Sequence, residues 1–169
     1  MGSGPFSCRI AGIRKTFHPD VEMMKNTSKA YILVSIQFLC VLLTAFSGHI
    51  IARHPFWLAL EIAGVVLGCW AFYSMGWGNL RATPIVAEKA RLVTHGPYRF
   101  IRHPMYTALL LVVWALIADD SSLFRLATGA ILTLNLVIKL RYEERLLQRH
   151  FPEYTAYMKR TKRLIPFIG

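Results

Sequence analysis

Charge is scarce in this sequence, and acid is scarcer still. Only 17% of the 169 residues are charged, and 9 Asp and Glu stand against 20 Lys and Arg, a formal net charge of +11. A soluble domain usually carries about a quarter of its residues as charge. With 54% apolar residues, the chain falls outside that class. Cysteine is sparse too. Cys8, Cys40 and Cys69 are odd in number and lack metal-ligand spacing, which argues against a disulfide framework or a metal centre and predicts reduced, structural thiols. A glycine-rich strand–turn–helix signature for dinucleotides is missing. No cleavable signal peptide is expected either, because the first long apolar run follows a polar lead and continues to spanning length. Phe6 stands where a myristoylation signal needs Ser or Thr.

What the chain has instead is four apolar runs. Ala30 to Ser47 is nearly all apolar, and Pro55 to Trp77 is interrupted only by Glu61 and Ser74. Pro104 to Ala118 is apolar apart from Thr107, and Leu123 to Leu140 carries Arg125 near its start and Lys139 near its end. A spanning helix needs roughly 20 residues at about 1.5 Å each. The first, second and fourth runs qualify, whereas the third makes roughly 22 Å of helix. Only Asp119-Asp120-Ser121-Ser122 separates the third run from the fourth, which predicts a tight antiparallel helical hairpin. The expected fold is all-α: a polytopic membrane bundle of about four transmembrane helices ending in a C-terminal helical hairpin. Residues 1–28 read as a cytosolic leader and 29–169 as the membrane domain.

The basic residues orient it. Arg9, Arg14, Lys15, Lys25 and Lys29 precede the first run, and the first loop holds only Arg53. The second loop holds Arg81, Lys89, Arg91, Arg99 and Arg102, and the part from Lys139 onward holds eight more. Basic residues thus alternate many, few, many, few, many. By the positive-inside rule, both termini and the second loop are cytosolic. The charge excess is explained by the bilayer, so nucleic acid is not expected as a partner.

Two stretches on that expected cytosolic face, 90–106 and 139–166, are dense in functional residue types. They flank the hairpin, so its helices bring them to the same membrane surface. In the first, His95, Tyr98, Arg99, Arg102, His103 and Tyr106 crowd around a Gly96-Pro97 reversal. Pro104 suits the first turn of the third helix. An interfacial anchoring belt would explain part of this. Two His, two Arg and the turn are more than anchoring requires. In the second stretch, Lys139 and Glu143 share one helix face and Arg141 and Glu144 another, although snorkelling cations at a helix exit would look similar.

Arg53-His54-Pro55 echoes Arg102-His103-Pro104, but the charge count puts it on the other side of the membrane, where it reads as a helix start. Glu61 lies far from the basic cluster, so a packing or hydrogen-bonding role is expected. Gly64 and Gly68 form a GxxxG pair that favours close helix packing, within the chain or between chains.

With Leu92-Val93-Thr94, Gly96-Pro97-Tyr98, Arg102-His103-Pro104-Met105-Tyr106, Glu143-Glu144, Leu147, Phe151, Tyr154, Tyr157 and Arg163-Leu164-Ile165-Pro166, the chain resembles the isoprenylcysteine carboxyl methyltransferase family, itself related to the phospholipid methyltransferases. The resemblance covers roughly residues 60 to 166 and includes Gly68, Gly76 and Asn79. It implies a helical membrane enzyme using S-adenosylmethionine, with S-adenosylhomocysteine as product, and a lipophilic acceptor reached from the bilayer. By that resemblance, Arg91, Leu92, Val93 and Tyr98 cradle the nucleoside. His103, Pro104, Tyr106 and Glu144 line the cofactor site, and Glu143 anchors the cofactor from across the hairpin. A cation one turn before Glu143 meets the acceptor. The family usually has Arg there and this chain has Lys139. Phe151-Pro152 likewise replaces the usual Phe-Gly, with a spacing to Tyr154 shorter by one residue.

Methyl transfer is an in-line displacement, so positioning is the main task. A carboxylate acceptor is already ionised and needs only an orienting cation, which Lys139 or Arg141 can supply. An amine lipid would need a base instead, with His103 or a glutamate as candidate. Carboxyl methylation of an isoprenylcysteine-like acceptor is therefore the leading expectation. Phospholipid N-methylation is the runner-up, and a membrane reductase and a non-catalytic scaffold are remoter rivals.

Overall fold

The computed structural model describes residues 19–76 and 92–164, with the side chains of 19–27 excepted. All the regular structure among them is helical. The helices are α1 (Pro19–Phe46), α2 (Pro55–Met75), α3 (Pro104–Asp119), α4 (Leu123–His150) and α5 (Tyr154–Arg160), and a 3-10 turn at Gly96–Arg99 leads into α3. Three of these, Ser28–Phe46 of α1, α2 and α4, are long and apolar enough to cross a membrane, and α3 is a shorter apolar helix. The fold is a helical membrane bundle. Helix α1 starts at Pro19, ahead of the expected boundary at 29, and residues 1–18 with Cys8 lie outside the described residues. Cys40 and Cys69 are free thiols.

Helices α2 and α4 begin at side-chain caps. His54 caps α2 by accepting from Phe56 N–H at 3.3 Å, with Pro55 in the first turn. Ser122 caps α4 by accepting from Arg125 N–H at 3.2 Å. Helix α4 does not stop at Leu140, where the apolar run ends, but continues to His150. Its last turns are amphipathic and hold two glutamates on the bundle.

Two antiparallel pairs make the bundle: α2 packs on α3, and α1 on α4. The α3–α4 hairpin joins them. Gly64 lies so close to α3 that a Cβ there would stand 2.9 Å from Val112 and 3.0 Å from the Ala108 carbonyl, and Gly68 faces Ala108 as well. The GxxxG pair thus packs within the chain. Gly129 does the same for the hairpin, where a Cβ would meet Ile117 at 2.6 Å. Cys40, Val113, Ile117, Leu132 and Leu136, from α1, α3 and α4, form the buried core. Exposed Phe38, Leu39, Val65, Val66, Leu134 and Ile138 present the apolar outer surface that a lipid environment requires.

The two ends of the bundle are built differently. At the end holding the α3–α4 turn, the Asp119 carboxylate accepts from Arg53 N–H at 2.7 Å and His54 N–H at 2.8 Å. Glu61 accepts from Ala52 N–H at 2.9 Å, the hydrogen-bonding role expected of it. Arg125, 1% exposed, donates to the Asp120 carbonyl and carboxylate, each at 2.9 Å, and to the His49 carbonyl. We call this the clasp end. The opposite end carries the His103 motif.

Candidate functional site

At the motif end, a backbone strap holds the start of α3. Ile101 and Lys162 form a parallel bridge. Arg102 N–H donates to Lys162 O at 2.7 Å, His103 N–H to Arg163 O at 3.2 Å, and Lys162 N–H to Phe100 O at 3.1 Å. Thr107 Oγ1 donates to Leu164 O at 2.6 Å. The 3-10 turn is pinned from outside as well, where Tyr157 donates to Tyr98 O at 2.6 Å. Gly96 adopts φ +61, and a Cβ there would collide with Ser74 at the end of α2, so only glycine fits this reversal. Burial raises the Tyr98 and Tyr154 phenols well above their ordinary range and pushes Tyr157 up to about 12. All three stay protonated at neutral pH.

Arg102 locks this arrangement. Its Nε donates to Glu144 at 2.8 Å, and Nη1 donates to Met158 O at 2.9 Å and to Thr161 O. A cation at the C-terminus of α5 is also favoured by the helix dipole. Glu144, buried, is bound on its other oxygen by Arg163 at 3.2 Å.

Inside this frame four side chains converge. Tyr106 donates to Glu143 at 2.5 Å. His103, 8% exposed, lies with Nδ1 3.6 Å from Glu143 and Nε2 3.8 Å from Glu144. The His103 and Tyr106 rings are stacked, with centroids 5.4 Å apart and planes 1° from parallel. Lys139 Nζ lies 5.2 Å from the Tyr106 ring centroid. Residues 37 apart in sequence, Tyr106 and Glu143, are bonded neighbours, as the hairpin requires.

The structure brings His103, Pro104, Tyr106, Lys139, Glu143 and Glu144 together at this end, with Tyr98 in the turn beside them. Leu92 and Val93 lead into that turn, half-buried. Arg91, Asn79, Ile165 and Pro166 lie outside the described residues. Arg141 is not brought to the cluster: it is exposed on α4 while Glu144 is buried. The shared Arg141–Glu144 face expected from their spacing is therefore corrected, because Arg102 and Arg163 hold Glu144 instead. The snorkelling alternative for Lys139 is also corrected. Lys139 is 4% exposed and donates to Gln37 of α1 at 2.9 Å.

Gln37 was not among the expected site residues, and neither was Asn135, which donates to Leu33 O of α1 at 3.0 Å. Both carried a signal, being polar residues inside apolar spans, where such residues are functional candidates by default. Arg102 was visible only as part of the motif.

The cluster fits a cationic, aromatic cofactor. His103 Nε2 is buried with no hydrogen-bond partner, the Glu143 carboxylate keeps 19% side-chain exposure, and stacked rings flank it. A carboxylate complements a sulfonium charge, and the His103 ring nitrogen, 3.8 Å from Glu144 and short of a hydrogen bond to it, has room for a further polar contact.

A sequence profile described as phospholipid methyltransferase matches residues 52–154. The cobalt-zinc-cadmium resistance protein of Cupriavidus metallidurans is 39% identical over 82 residues, 46% of this chain and 37% of that protein. The nickel-cobalt-cadmium resistance protein of Alcaligenes xylosoxydans is 35% identical over 86 residues, 48% of this chain and 39% of that protein. The methanethiol S-methyltransferase of Crocosphaera subtropica is 30% identical over 73 residues, 43% of this chain and 28% of that protein. The matched stretch thus spans well under half the length of each of these relatives.

Proposed function

Because the chain belongs to the phospholipid methyltransferase family, whose profile covers residues 52–154, we propose that it transfers a methyl group from S-adenosylmethionine to the carboxylate of a lipophilic, isoprenylcysteine-like acceptor. When bound, the cofactor supplies an electrophilic methyl carbon on a sulfonium. Glu143, steadied by the Tyr106 hydroxyl, offsets the cofactor's positive charge. His103 Nε2 offers a further polar contact. Tyr98, Leu92 and Val93 line the nucleoside side of the site, a role that the family resemblance gives to Arg91 as well. Glu144 acts indirectly, by fixing Arg102 and with it the backbone that carries His103.

The observation that carries the acceptor assignment is the Lys139 ammonium. It is buried, one helical turn from Glu143, and set over the Tyr106 ring. A cation at that depth orients an acceptor that is anionic as nucleophile. In the transfer a carboxylate oxygen lone pair forms the new O–CH3 bond as the S–CH3 bond breaks. The products are a methyl ester and neutral S-adenosylhomocysteine, and no proton needs to move. Arg141, exposed on α4 and apart from the cluster, is left without a part in this reading.

The membrane setting follows the same reading. In this reading the membrane methyltransferase domain runs over 29–169, behind a leader of 1–28 whose last residues, from Pro19, already belong to α1, and the motif end and both termini are cytosolic. The lipophilic tail enters sideways from the bilayer, and the polar cofactor from the cytosol.

The family description favours a second reading, methylation of a phospholipid amine, in which His103 or Glu143 takes the proton. One experiment separates the two. Purified protein is given radiolabelled S-adenosylmethionine with a prenylcysteine or with phospholipid vesicles, and the product is treated with mild base. A methyl ester releases volatile methanol. A base-stable product formed only from phospholipid overturns the carboxylate assignment and leaves the methyltransferase assignment standing.

A further inference from the structure

Gln37 sits at the centre of the apolar span Ser28–Phe46, nine residues from either end. A neutral amide there is expensive unless it does something. Helix α1 also precedes residue 52, where the family match begins, so the residue lies outside the matched stretch. Its side-chain oxygen accepts from Lys139 Nζ at 2.9 Å.

The direction of that contact matters. Lys139 lies sixteen residues into α4, roughly 24 Å along its axis, near the motif end. A lysine so placed ordinarily extends its stem toward the nearer surface. Here the Cα–Cβ bond points toward the start of α4, and the Gln37 amide draws the ammonium back into the bundle. Asn135, one turn earlier on α4, ties the same α1–α4 seam by bonding Leu33 O. The ammonium therefore has neighbours on three helices, among them the Gln37 oxygen of α1, the Tyr106 ring of α3 and the Glu143 charge of α4.

We propose that Gln37 is a positioning residue that sets acceptor specificity: it fixes Lys139 at the depth where an acidic head group on a lipophilic tail must arrive, and keeps the ammonium from collapsing onto Glu143. The inference rests on the carboxylate reading above and extends it to α1, which becomes a wall of the acceptor site. An amide is suited to this task because it binds the ammonium without neutralising it. Lys139 retains the charge with which it attracts the acceptor.

The test is equilibrium binding of an S-prenylcysteine carboxylate and the corresponding carboxamide to the detergent-solubilised full chain, with no turnover needed. Wild type binds the carboxylate more tightly, and Lys139→Met removes the preference. Gln37→Met, of similar length but with no acceptor oxygen, weakens carboxylate binding by about tenfold, the worth of a hydrogen bond to a charged group. It leaves carboxamide and S-adenosylhomocysteine binding within about twofold. In the Lys139→Met background, Gln37→Met adds nothing, because its effect runs through the ammonium. If Gln37→Met loses S-adenosylhomocysteine binding and so reports only misfolding, Gln37→Glu decides. It keeps the oxygen but adds a charge that competes for Lys139, so the carboxylate preference disappears. A preference lost in Lys139→Met but kept in the Gln37 variants overturns this inference and leaves the carboxylate reading intact. No preference in wild type overturns both.

Discussion

The tripeptide Arg-His-Pro opens two helices of this bundle and is put to two uses. At the clasp end, His54 spends its ring nitrogen on its own helix, accepting from Phe56 N–H, and the Arg53 and His54 amides are held by Asp119. At the motif end, His103 makes no side-chain cap bond, and its amide is held by the backbone strap. The ring is thereby released to face Glu143 and Glu144. The contrast extends outward. Asp119 and Glu61 at the clasp end bind backbone groups, the work of joining loops to helices. Tyr106, Glu143, His103, Lys139 and Gln37 face mainly one another. Asp119 and Glu61 thus serve loops and helix starts, whereas the polar groups around Tyr106 and Glu143 are turned toward one another and are the candidates for chemistry.

The comparison breaks or sharpens in four ways. The largest expected effect is all-or-none. In a chain with its cysteines replaced by serine, Ser121→Cys is labelled by an impermeant maleimide added outside the cell, and Glu153→Cys is not. The reverse pattern would put the motif end outside and dissolve the cytosolic assignment. Next, Glu143→Gln lowers affinity for S-adenosylmethionine by tenfold to about a hundredfold, the range expected for removing a charged partner worth roughly 1.5–3 kcal/mol. Affinity for S-adenosylhomocysteine, which lacks the sulfonium charge, falls less. Equal losses for the two ligands, measured by calorimetry, would mean that Glu143 does not face the cationic centre. Third, His103→Ala weakens S-adenosylhomocysteine binding by about tenfold, whereas His54→Ala changes it less than about twofold. Matching effects would erase the distinction between the ends. The smallest effect is on stability: His54→Ala lowers it by about 0.5–2 kcal/mol, the usual worth of an N-cap, read as a lower unfolding midpoint in detergent.

Much of this was legible in sequence because lipid imposes few solutions. Apolar run length and the four-residue polar turn imply the hairpin, and the hairpin implies that Tyr106 and Glu143 meet. The Gly64–Gly68 spacing announced close packing but not its partner, which the fit of Gly64 against Val112 and Ala108 identifies as α3. Gln37 does not stand out in sequence because an apolar run as long as Ala30 to Ser47 absorbs one amide without losing its spanning character. The exposure of Arg141 is not legible in sequence, because periodicity says which residues share a face and not which face turns inward. The strap was invisible, since pairing between 100–103 and 162–164 depends on how α4 and α5 return the chain, and no local pattern encodes that return.

That strap has a bearing on when the protein becomes competent. His103 and Thr107 are anchored by Arg163 O and Leu164 O, and Arg102 by Met158 O and Thr161 O, partners 56 to 59 residues further along the chain where the contacts are side-chain bonds. Ribosomes add about 5–20 residues per second, so the motif emerges several seconds before anything exists to hold it. During that interval the helices can enter the bilayer, but His103 has no fixed place. Insertion and activity are thus separated in time, and a nascent chain halted before residue 161 stays inert however well its helices are embedded.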